Sequence, residues 1–432
     1  MRKNEVDIVS LGCSKNLVDS EHLMKQFLAN GYNVKHNPEK VEGEIVVVNT
    51  CGFIQDAQEE SIETILELGR AKNEGRIGKL FVMGCLAERF MKDLEGEIPE
   101  VDKFYGKFNW KNLLTDIGKS YHSELATERV LSTPKHYAYI KIAEGCNRFC
   151  AFCAIPLITG RFKSEPMELI LDEVRNLVAK GVKEFNVIAQ DLSSYGLDLY
   201  GEQKLPELID KMAQIDGVEW IRLHYLYPAQ FPFGLLPVMQ KHSNVCKYLD
   251  LALQHISDTV LSNMRRHIDR EGTLELLKRI RQEVPGIHIR TTLMVGFPGE
   301  GDKEYEELLE FVDTARFERM GAFAYSEETG TYGQQHYEDD TPQDVKLERL
   351  QKLMDRQEDI SMEIQESKVG KTLKVIVDRE DSDYYVGRTE FDSPEVDPEV
   401  LIEKTRRLVP GEFYNVTITE ALPYELVGRV QD

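Results

Sequence analysis

Three closely spaced cysteines are the residues best suited to chemistry. Cys146, Cys150 and Cys153 have the spacing C-x3-C-x2-C. Three thiolates can ligate three irons of a 4Fe-4S cluster and leave the fourth iron open to an external ligand. Structural zinc normally takes four protein ligands, often as two close pairs. The spacing therefore favours a reactive iron–sulfur cluster, with a zinc knuckle or a redox-inert iron–sulfur site as the alternative.

Three further cysteines are distant in sequence but share one context. Cys13, Cys51 and Cys85 each directly follow a short apolar stretch that is predicted to be a strand. Because the carboxyl ends of parallel strands meet at one edge of a sheet, the three thiols are expected to converge. Such a group can hold a second 4Fe-4S cluster, and three unrelated buried cysteines are the alternative. Cys246 has no such partners and is interpreted as structural.

Glycine and polar residues follow several later strands. Residues 295–300 read Val-Gly-Phe-Pro-Gly-Glu, in which Gly296 and Gly299 would let the backbone approach a ligand closely. An ordinary turn is the alternative. Gln190 and His255 end two other strands and can hydrogen-bond a ligand in a barrel cavity. A core histidine explains His255 equally well.

The elements that would position these residues fall into three regions. Over 1–125, apolar strands alternate with amphipathic helices, which predicts a flavodoxin-like α/β domain with a parallel sheet. The strands are predicted at 6–10, 45–49 and 80–83, and the helices near 20–29 and 57–71.

A second alternation over 132–367 predicts a partial (βα)6 barrel, with its active face at the carboxyl ends of the strands. The strands are predicted at 139–143, 184–189, 220–224, 248–253, 288–294 and 319–324, and helices at 166–179, with Ser164 as its cap, 302–315 and 342–367. Short apolar stretches in the remaining region, 368–432, predict a small antiparallel β-barrel of the OB type.

The composition limits the cellular compartment and the binding partners that can be expected for this protein. No apolar run approaches the roughly 20 residues of a membrane helix, and the N-terminus has no signal-like core, so we expect a cytoplasmic protein without membrane contact. Cytosolic thiols stay reduced, so the seven cysteines favour metal binding or catalysis over disulfides. The net charge of −22 disfavours nucleic acid and favours a basic partner, unless it serves solubility alone.

The cysteine loop at the head of a six-unit βα barrel resembles the radical S-adenosylmethionine (SAM) superfamily. The resemblance implies that the open iron chelates the amino and carboxylate groups of SAM, whose reductive cleavage gives a deoxyadenosyl radical. Phe152 stands where that superfamily has an aromatic residue beside the adenine. Gly296, Gly299 and Glu300 match a strand end that lies against the adenosine, and Gln190 is assigned to the cofactor from its strand-end position.

The whole chain resembles the methylthiotransferase family, which combines an N-terminal domain with three scattered cysteines, a radical SAM barrel and a C-terminal TRAM-like barrel. The resemblance implies two 4Fe-4S clusters, SAM, an electron donor such as flavodoxin, and a sulfur donor that the sequence does not identify. It implies that one cluster carries the sulfur that becomes methylated and that the other cleaves SAM. The implied catalytic ligands are Cys13, Cys51 and Cys85 for the first cluster and Cys146, Cys150 and Cys153 for the second.

Members of that family modify either an adenosine of transfer RNA or an aspartate of small-subunit ribosomal protein twelve. Residues 12–21, Gly-Cys-Ser-Lys-Asn-Leu-Val-Asp-Ser-Glu, resemble the ribosomal-protein branch. Residues 378–399 carry nine acidic residues against two arginines, a net charge of −7 that suits a basic protein better than RNA. We predict methylthio transfer to the β-carbon of that aspartate, with transfer RNA adenosine as the alternative substrate.

The chain departs from the family pattern after Cys153. The family often has an Arg-Gly pair there and a later Ser-Arg pair, where this chain has Thr159-Gly160-Arg161 and Ser164-Glu165. The roles of Thr159 and Arg161 are therefore open. Two other interpretations are an electron-transfer scaffold, which predicts no SAM binding, and a zinc-dependent RNA-binding module, which predicts a colourless protein. The open C-x3-C-x2-C spacing argues against both.

Overall fold

The structure is a computed structural model that describes residues 1–431. Its N-terminal unit is a doubly wound α/β domain. The elements are β1 (Arg2–Ser10), α1 (Ser14–Ala29), β2 (Asn33–His36), β3 (Gly43–Thr50), α2 (Gln55–Asn73), β4 (Lys79–Gly84), α3 (Cys85–Glu97), β5 (Lys103–Tyr105) and α4 (Asn112–Asp116). All strand pairs are parallel, in the order β2-β1-β3-β4-β5.

Strand β3 shows why this sheet has helices on both faces. Val46 and Val48 pack into the core beneath α2 and α3, while Ile45 and Val47 pack into the core beneath α1. Successive side chains on a strand point to opposite faces, so an uninterrupted apolar run requires two cores. The predicted parallel sheet is confirmed, and its carboxyl edge carries the three cysteine segments.

The second unit is a partial barrel. Its elements are β6 (Tyr137–Lys141), β7 (Ala143–Glu144), α5 (Ile155–Thr159), β8 (Lys163–Ser164), α6 (Met167–Val178), β9 (Glu184–Ile188), α7 (Leu197–Tyr200), α8 (Leu205–Ala213), β10 (Trp220–Leu226), α9 (Leu235–Lys241), β11 (Val245–Gln254), α10 (Asp258–Asn263), α11 (Arg270–Glu283), β12 (His288–Val295), α12 (Asp302–Ala315), β13 (Arg319–Ala324), α13 (Tyr332–His336) and α14 (Gln343–Glu366). Six strands form one sheet in the order β13-β12-β11-β10-β9-β6, which confirms the six predicted strands.

A short antiparallel ladder between β7 and β8 closes the base of the cysteine loop. The expected helix cap at Ser164 is wrong, because Ser164 belongs to β8 and its hydroxyl donates to Asp198 at 2.6 Å. Pro166 precedes α6 instead. The loop that holds the three clustered cysteines is thus anchored at both of its ends.

The third unit is a closed five-stranded barrel. Its strands are β14 (Thr372–Glu380), β15 (Tyr384–Thr389), β16 (Glu399–Glu403), β17 (Phe413–Leu422) and β18 (Glu425–Val430), in the order β14-β15-β16-β18-β17. Four pairings are antiparallel, and β16 pairs with β18 in parallel. The small C-terminal barrel is confirmed, with one parallel pair that the sequence did not indicate.

Much of the acidic segment 378–399 faces the central barrel, not solvent. Asp378 accepts from Arg388 at 2.7 Å and contacts His136 at 2.8 Å. Asp392 pairs with Arg319 in a buried contact. These carboxylates join two units of the chain, so part of the net charge of −7 is neutralised within the protein. The exposed acidic residues of the segment are Glu380, Asp381, Asp383 and Glu395.

Asp378 makes this attachment depend on pH. Burial alone would raise the pKa of Asp378, but Arg388 and His136 lower it to about 2. An aspartate in the unfolded chain has a pKa of about 3.9, so the stabilisation is present above about pH 4 and is lost as the pH falls towards 2. Urea unfolding should show a loss of about 2–3 kcal/mol across that window. We expect Asp378→Asn to lack this component and Asp383→Asn, at an exposed position, to retain it.

Candidate active site

The structure brings Cys13, Cys51 and Cys85 to one edge of the N-terminal sheet. Cys13 precedes α1, Cys51 follows β3 and Cys85 begins α3. Two glycines let these segments touch: a Cβ on Gly12 would lie 2.7 Å from Cys51 Cβ, and one on Gly52 would lie 2.7 Å from the backbone of Leu86. Such separations are too short for any larger residue, so the glycines allow the three thiols to converge.

The side chain of Asn16 contacts the backbone, a thiol and a lysine around these three cysteines. Its amide donates to the carbonyl of Thr50 at 2.9 Å, and its oxygen lies 3.6 Å from Cys85 Sγ and 3.3 Å from Lys107 Nζ. Cys13 is exposed at the surface, yet the loss of water around its sulfur opposes ionisation. Lys15 and Lys107 outweigh this and hold the pKa of the thiol below the usual value. Burial raises the pKa of Cys85 to about 12. Cys13 is therefore the thiol of the three that ionises most readily.

The second cysteine group lies in the loop between β7 and β8. Arg266 Nη1 lies 3.2 Å from Cys150 Sγ, and the hydroxyl of Tyr227 lies 3.8 Å from the same sulfur. The guanidinium of Arg266 also lies 4.2 Å from the centroid of the Tyr227 ring. Arg266 donates to the Cys150 sulfur, whereas the single hydroxyl proton of Tyr227 goes to the Arg266 carbonyl at 2.7 Å. The two side chains therefore hold Cys150 in place, and a cysteine ligates metal as the thiolate.

Both groups of thiols fit an iron–sulfur cluster better than a single ion. Within residues 1–431, no three or more His, Cys, Asp or Glu side chains converge closely enough to hold one metal ion. Burial raises the pKa of Cys146 to about 12 and also raises that of Cys153, and neighbouring cysteines add to both shifts. Iron ligation removes these protons and satisfies the buried sulfurs. Each group supplies three thiols, the donor set of a 4Fe-4S cluster with one iron left open.

The two cysteine groups adjoin each other. Cys85 packs against Ala154, which directly follows Cys153, and against Ile158 of the next helix, α5. Arg89, one turn along α3, pairs with Glu328 of the barrel at 3.1 Å. The carboxyl edge of the N-terminal sheet therefore lies over the mouth of the barrel.

Phe152 and Gln190 are both predicted to contact SAM, and the first lies among apolar side chains whereas the second lies among polar ones. Phe152 packs edge-on against Phe297, with 6.2 Å between the ring centroids. Gln190 donates to Glu144, and its own buried oxygen has no hydrogen-bond partner among the described residues. An unsatisfied buried acceptor is costly, so this oxygen suits a donor group on a bound ligand, such as the ammonium or ribose hydroxyls of SAM.

Glu300 is occupied by protein groups. Its carboxylate accepts from the Gly296 amide at 2.8 Å, from Arg349 at 2.9 Å and contacts His255 at 3.1 Å. Both His255 and Glu300 have fully buried side chains. Glu300 thus stabilises the turn 295–300 from within, and His255 is the satisfied core histidine that the sequence left as an alternative.

The turn glycines are required by packing within the protein. Gly296 has φ +73° and Gly299 has φ +96°; a Cβ on either would lie 2.4 Å from Lys346 Cγ or Asn263 Nδ2 respectively. Lys346 is held in place by Asp339 at 2.6 Å. The turn is therefore fixed against α14 and α10.

Gly296→Ala is expected to destabilise the protein strongly. Gly286 is the matched control, because its φ is +79° but a Cβ there meets no atom within 4 Å. Backbone strain alone should cost about 1–2 kcal/mol in Gly286→Ala, and the contact with Lys346 should add about 1–3 kcal/mol in Gly296→Ala. Thermal and urea unfolding measure both variants. An equal loss of unfolding free energy in the two variants would show that the Lys346 side chain moves aside without cost.

Some site residues were not assigned from the sequence. Tyr227 reaches Cys150 from the end of β10, Arg266 from the loop after α10, and Lys107 reaches the first cysteine group from the loop after β5. Only the position of Tyr227, just after β10, could have indicated its role. Thr159 is buried and donates to the Ile155 carbonyl, whereas Arg161 is exposed.

Comparisons with known proteins agree with this arrangement. The Radical SAM superfamily model matches residues 140–312, the TRAM domain model matches 369–430, and the model for Uncharacterized protein family UPF0004 matches 5–106. Each match lies inside one predicted domain. The fold and the cysteine loop define an enzyme of the radical SAM class, whose cofactors are a 4Fe-4S cluster and SAM.

Relatives define the family more narrowly. Proteins named ribosomal protein uS12 methylthiotransferase RimO are 66% identical in Parabacteroides distasonis, with all of both chains covered, and 62% identical in Bacteroides thetaiotaomicron, with 100% of this chain and 99% of that one covered. The protein of that name from Christiangramia forsetii is 49% identical, over 99% of this chain and 95% of that one. This chain belongs to the ribosomal protein uS12 methylthiotransferase family.

A solved structure shows the same fold at low identity. The radical SAM methyltransferase TsrM from Kitasatospora setae has a TM-score of 0.55 and 14% identity, covering 94% of this chain and 82% of its own. Among residues 1–431, none of the helices has both the length and the apolar character that crossing a membrane requires.

Proposed function

We propose that this enzyme transfers a methylthio group to the β-carbon of an aspartate in ribosomal protein uS12. The main support is that two separate three-cysteine groups adjoin at one cavity mouth, as the contact of Cys85 with Ala154 and Ile158 indicates. A simple radical SAM enzyme needs only one such group. Two adjoining groups suit a reaction that supplies both a radical and a sulfur substituent to one carbon.

We propose Cys146, Cys150 and Cys153 as ligands of the cluster that binds SAM, and Cys13, Cys51 and Cys85 as ligands of a second 4Fe-4S cluster. When bound, the clusters and SAM supply the radical and the methylthio group. Arg266 donates a hydrogen bond to Cys150 Sγ, Tyr227 holds Arg266 through its carbonyl, and Lys15 and Lys107 stabilise the Cys13 thiolate.

The other residues shape the cavity. Phe152, with Phe297 and Tyr325, forms an apolar wall beside the second cysteine group that excludes water from a reactive intermediate. We propose that Gln190 accepts a hydrogen bond from SAM. The turn 295–300 then lies against the adenosine, with Glu300, Gly296 and Gly299 setting its shape.

We also propose that the enzyme acts with a reductant such as flavodoxin and a separate sulfur donor, in the cytoplasm. The reaction requires an electron for each cleavage of SAM and a sulfur atom for each product. None of the residues described above supplies the electron or the sulfur atom, so we propose that separate donor molecules supply both.

Mass spectrometry on purified uS12 tests the function. Anaerobically reconstituted enzyme, SAM, sulfide and a reductant should replace one hydrogen of a single aspartate with a methylthio group, and a transfer RNA pool treated in parallel should stay unmodified. Methylthio-adenosine in the transfer RNA with unmodified uS12 would instead establish the alternative substrate.

A further inference from the structure

We infer that Lys15 binds the side-chain carboxylate of the aspartate that is modified. This inference rests on the proposed function and adds a residue that selects aspartate. Lys15 lies in the first turn of α1, two positions after Cys13. No acidic residue occupies that turn, so the positive end of the helix is not neutralised locally.

The Lys15 residue is largely buried and has no carboxylate partner among the described residues. The residue is only 8% exposed, and its ammonium makes no hydrogen bond or ion pair with any residue in 1–431. It lies 3.8 Å from the centroid of the Tyr225 ring, a cation–π contact that fixes its position. The Cys13 thiolate and, more weakly, Glu144 act on the ammonium without a hydrogen bond to it, so its N–H donors are free to bind a carboxylate in the functional complex.

Neighbouring lysines show the contrast. Lys107 lies 3.2 Å from Asp19 and 3.5 Å from Glu144, and Lys141 lies 3.0 Å from Glu144. Both therefore have carboxylates of the protein itself. Of these three buried lysines, Lys15 alone has none within 4 Å in the described part of the chain, which leaves it available to a carboxylate from outside.

The position of Lys15 suits a substrate side chain. Cys13 is exposed and Tyr225 is 37% exposed, so the ammonium can be approached between them. Tyr225 precedes Tyr227 by two residues, and the Tyr227 hydroxyl lies 3.8 Å from Cys150 Sγ. A carboxylate on Lys15 would thus lie beside Tyr225, on the same chain segment that carries Tyr227 to the second cysteine group. An adenine base offers no negative charge for this contact, whereas an aspartate does.

Binding of uS12 to the reconstituted holoenzyme, measured by calorimetry, tests the inference. The wild type should bind uS12 about 10- to 100-fold more tightly than uS12 whose target aspartate is asparagine, as expected for a charge-assisted hydrogen bond. Lys15→Met should bind both forms equally, with the affinity that the wild type has for the asparagine form. Lys15→Arg should keep part of the preference. The control Lys40→Met, at an exposed lysine, should behave as the wild type.

Three results would overturn the inference. In the first, Lys15→Met keeps the wild-type affinities for both forms of uS12; in the second, it lowers both affinities by the same factor; in the third, its only change is a loss of iron. The second would assign Lys15 a structural role and the third a role toward the cluster, so iron content is measured on each variant. Failure of the wild type to bind either form of uS12 is distinct, because it would refute the proposed function itself.

Discussion

Cys13→Ala is expected to abolish methylthio transfer to uS12 while SAM cleavage continues. Cys13 is the exposed thiol of its group, and Lys15 and Lys107 hold its pKa below the usual value. Loss of one of three ligands should release a cluster that carries the sulfur, whereas Cys146, Cys150 and Cys153 are unchanged. Chromatography of deoxyadenosine and mass spectrometry of uS12 follow the two reactions separately.

Cys246→Ala is the control for this variant. Cys246 is buried against Trp220 and Ile376, away from both cysteine groups, and burial raises its pKa to about 12. Its loss should leave both reactions at wild-type rates. Methylthio transfer by Cys13→Ala at the wild-type rate would mean that the N-terminal cysteines are structural.

Cys150→Ala is expected to abolish both reactions. Arg266 Nη1 donates to Cys150 Sγ at 3.2 Å, so Cys150 is held in position by a residue outside the cysteine loop. Without Cys150 the site that activates SAM is lost, and no radical is available for uS12. Deoxyadenosine formation should fall below detection, in contrast to Cys13→Ala under the same conditions. Continued SAM cleavage would remove Cys150 from the proposed ligands.

The sequence predicted the parts of the fold that depend on local patterns. Continuous apolar runs such as 45–48 identify buried parallel strands, and a cysteine just after each strand predicts convergence at the sheet edge. The closed C-terminal barrel was also predicted, but the parallel pairing of β16 with β18 depends on contacts between distant segments.

Partners across the chain could not be predicted, because pairing is set by the tertiary structure. Glu300 follows a glycine turn in a way that suggests ligand contact, yet Arg349 and His255 occupy its carboxylate. Asp378 belongs to an acidic run that suggests a docking face, yet Arg388 and His136 neutralise it. The sequence gives the number of charged side chains, but only the fold shows which of them form ion pairs.

The central claim is that this chain holds two independent iron–sulfur clusters on two cysteine groups. Iron and sulfide content, with electron paramagnetic resonance, should be measured on anaerobically reconstituted wild type and on a variant with Cys146, Cys150 and Cys153 replaced by alanine. The account predicts about eight irons per chain in the wild type and about four in the variant, with a cluster signal left in both. Four or fewer irons in the wild type would contradict it, and the sulfur-inserting reaction would lose its support.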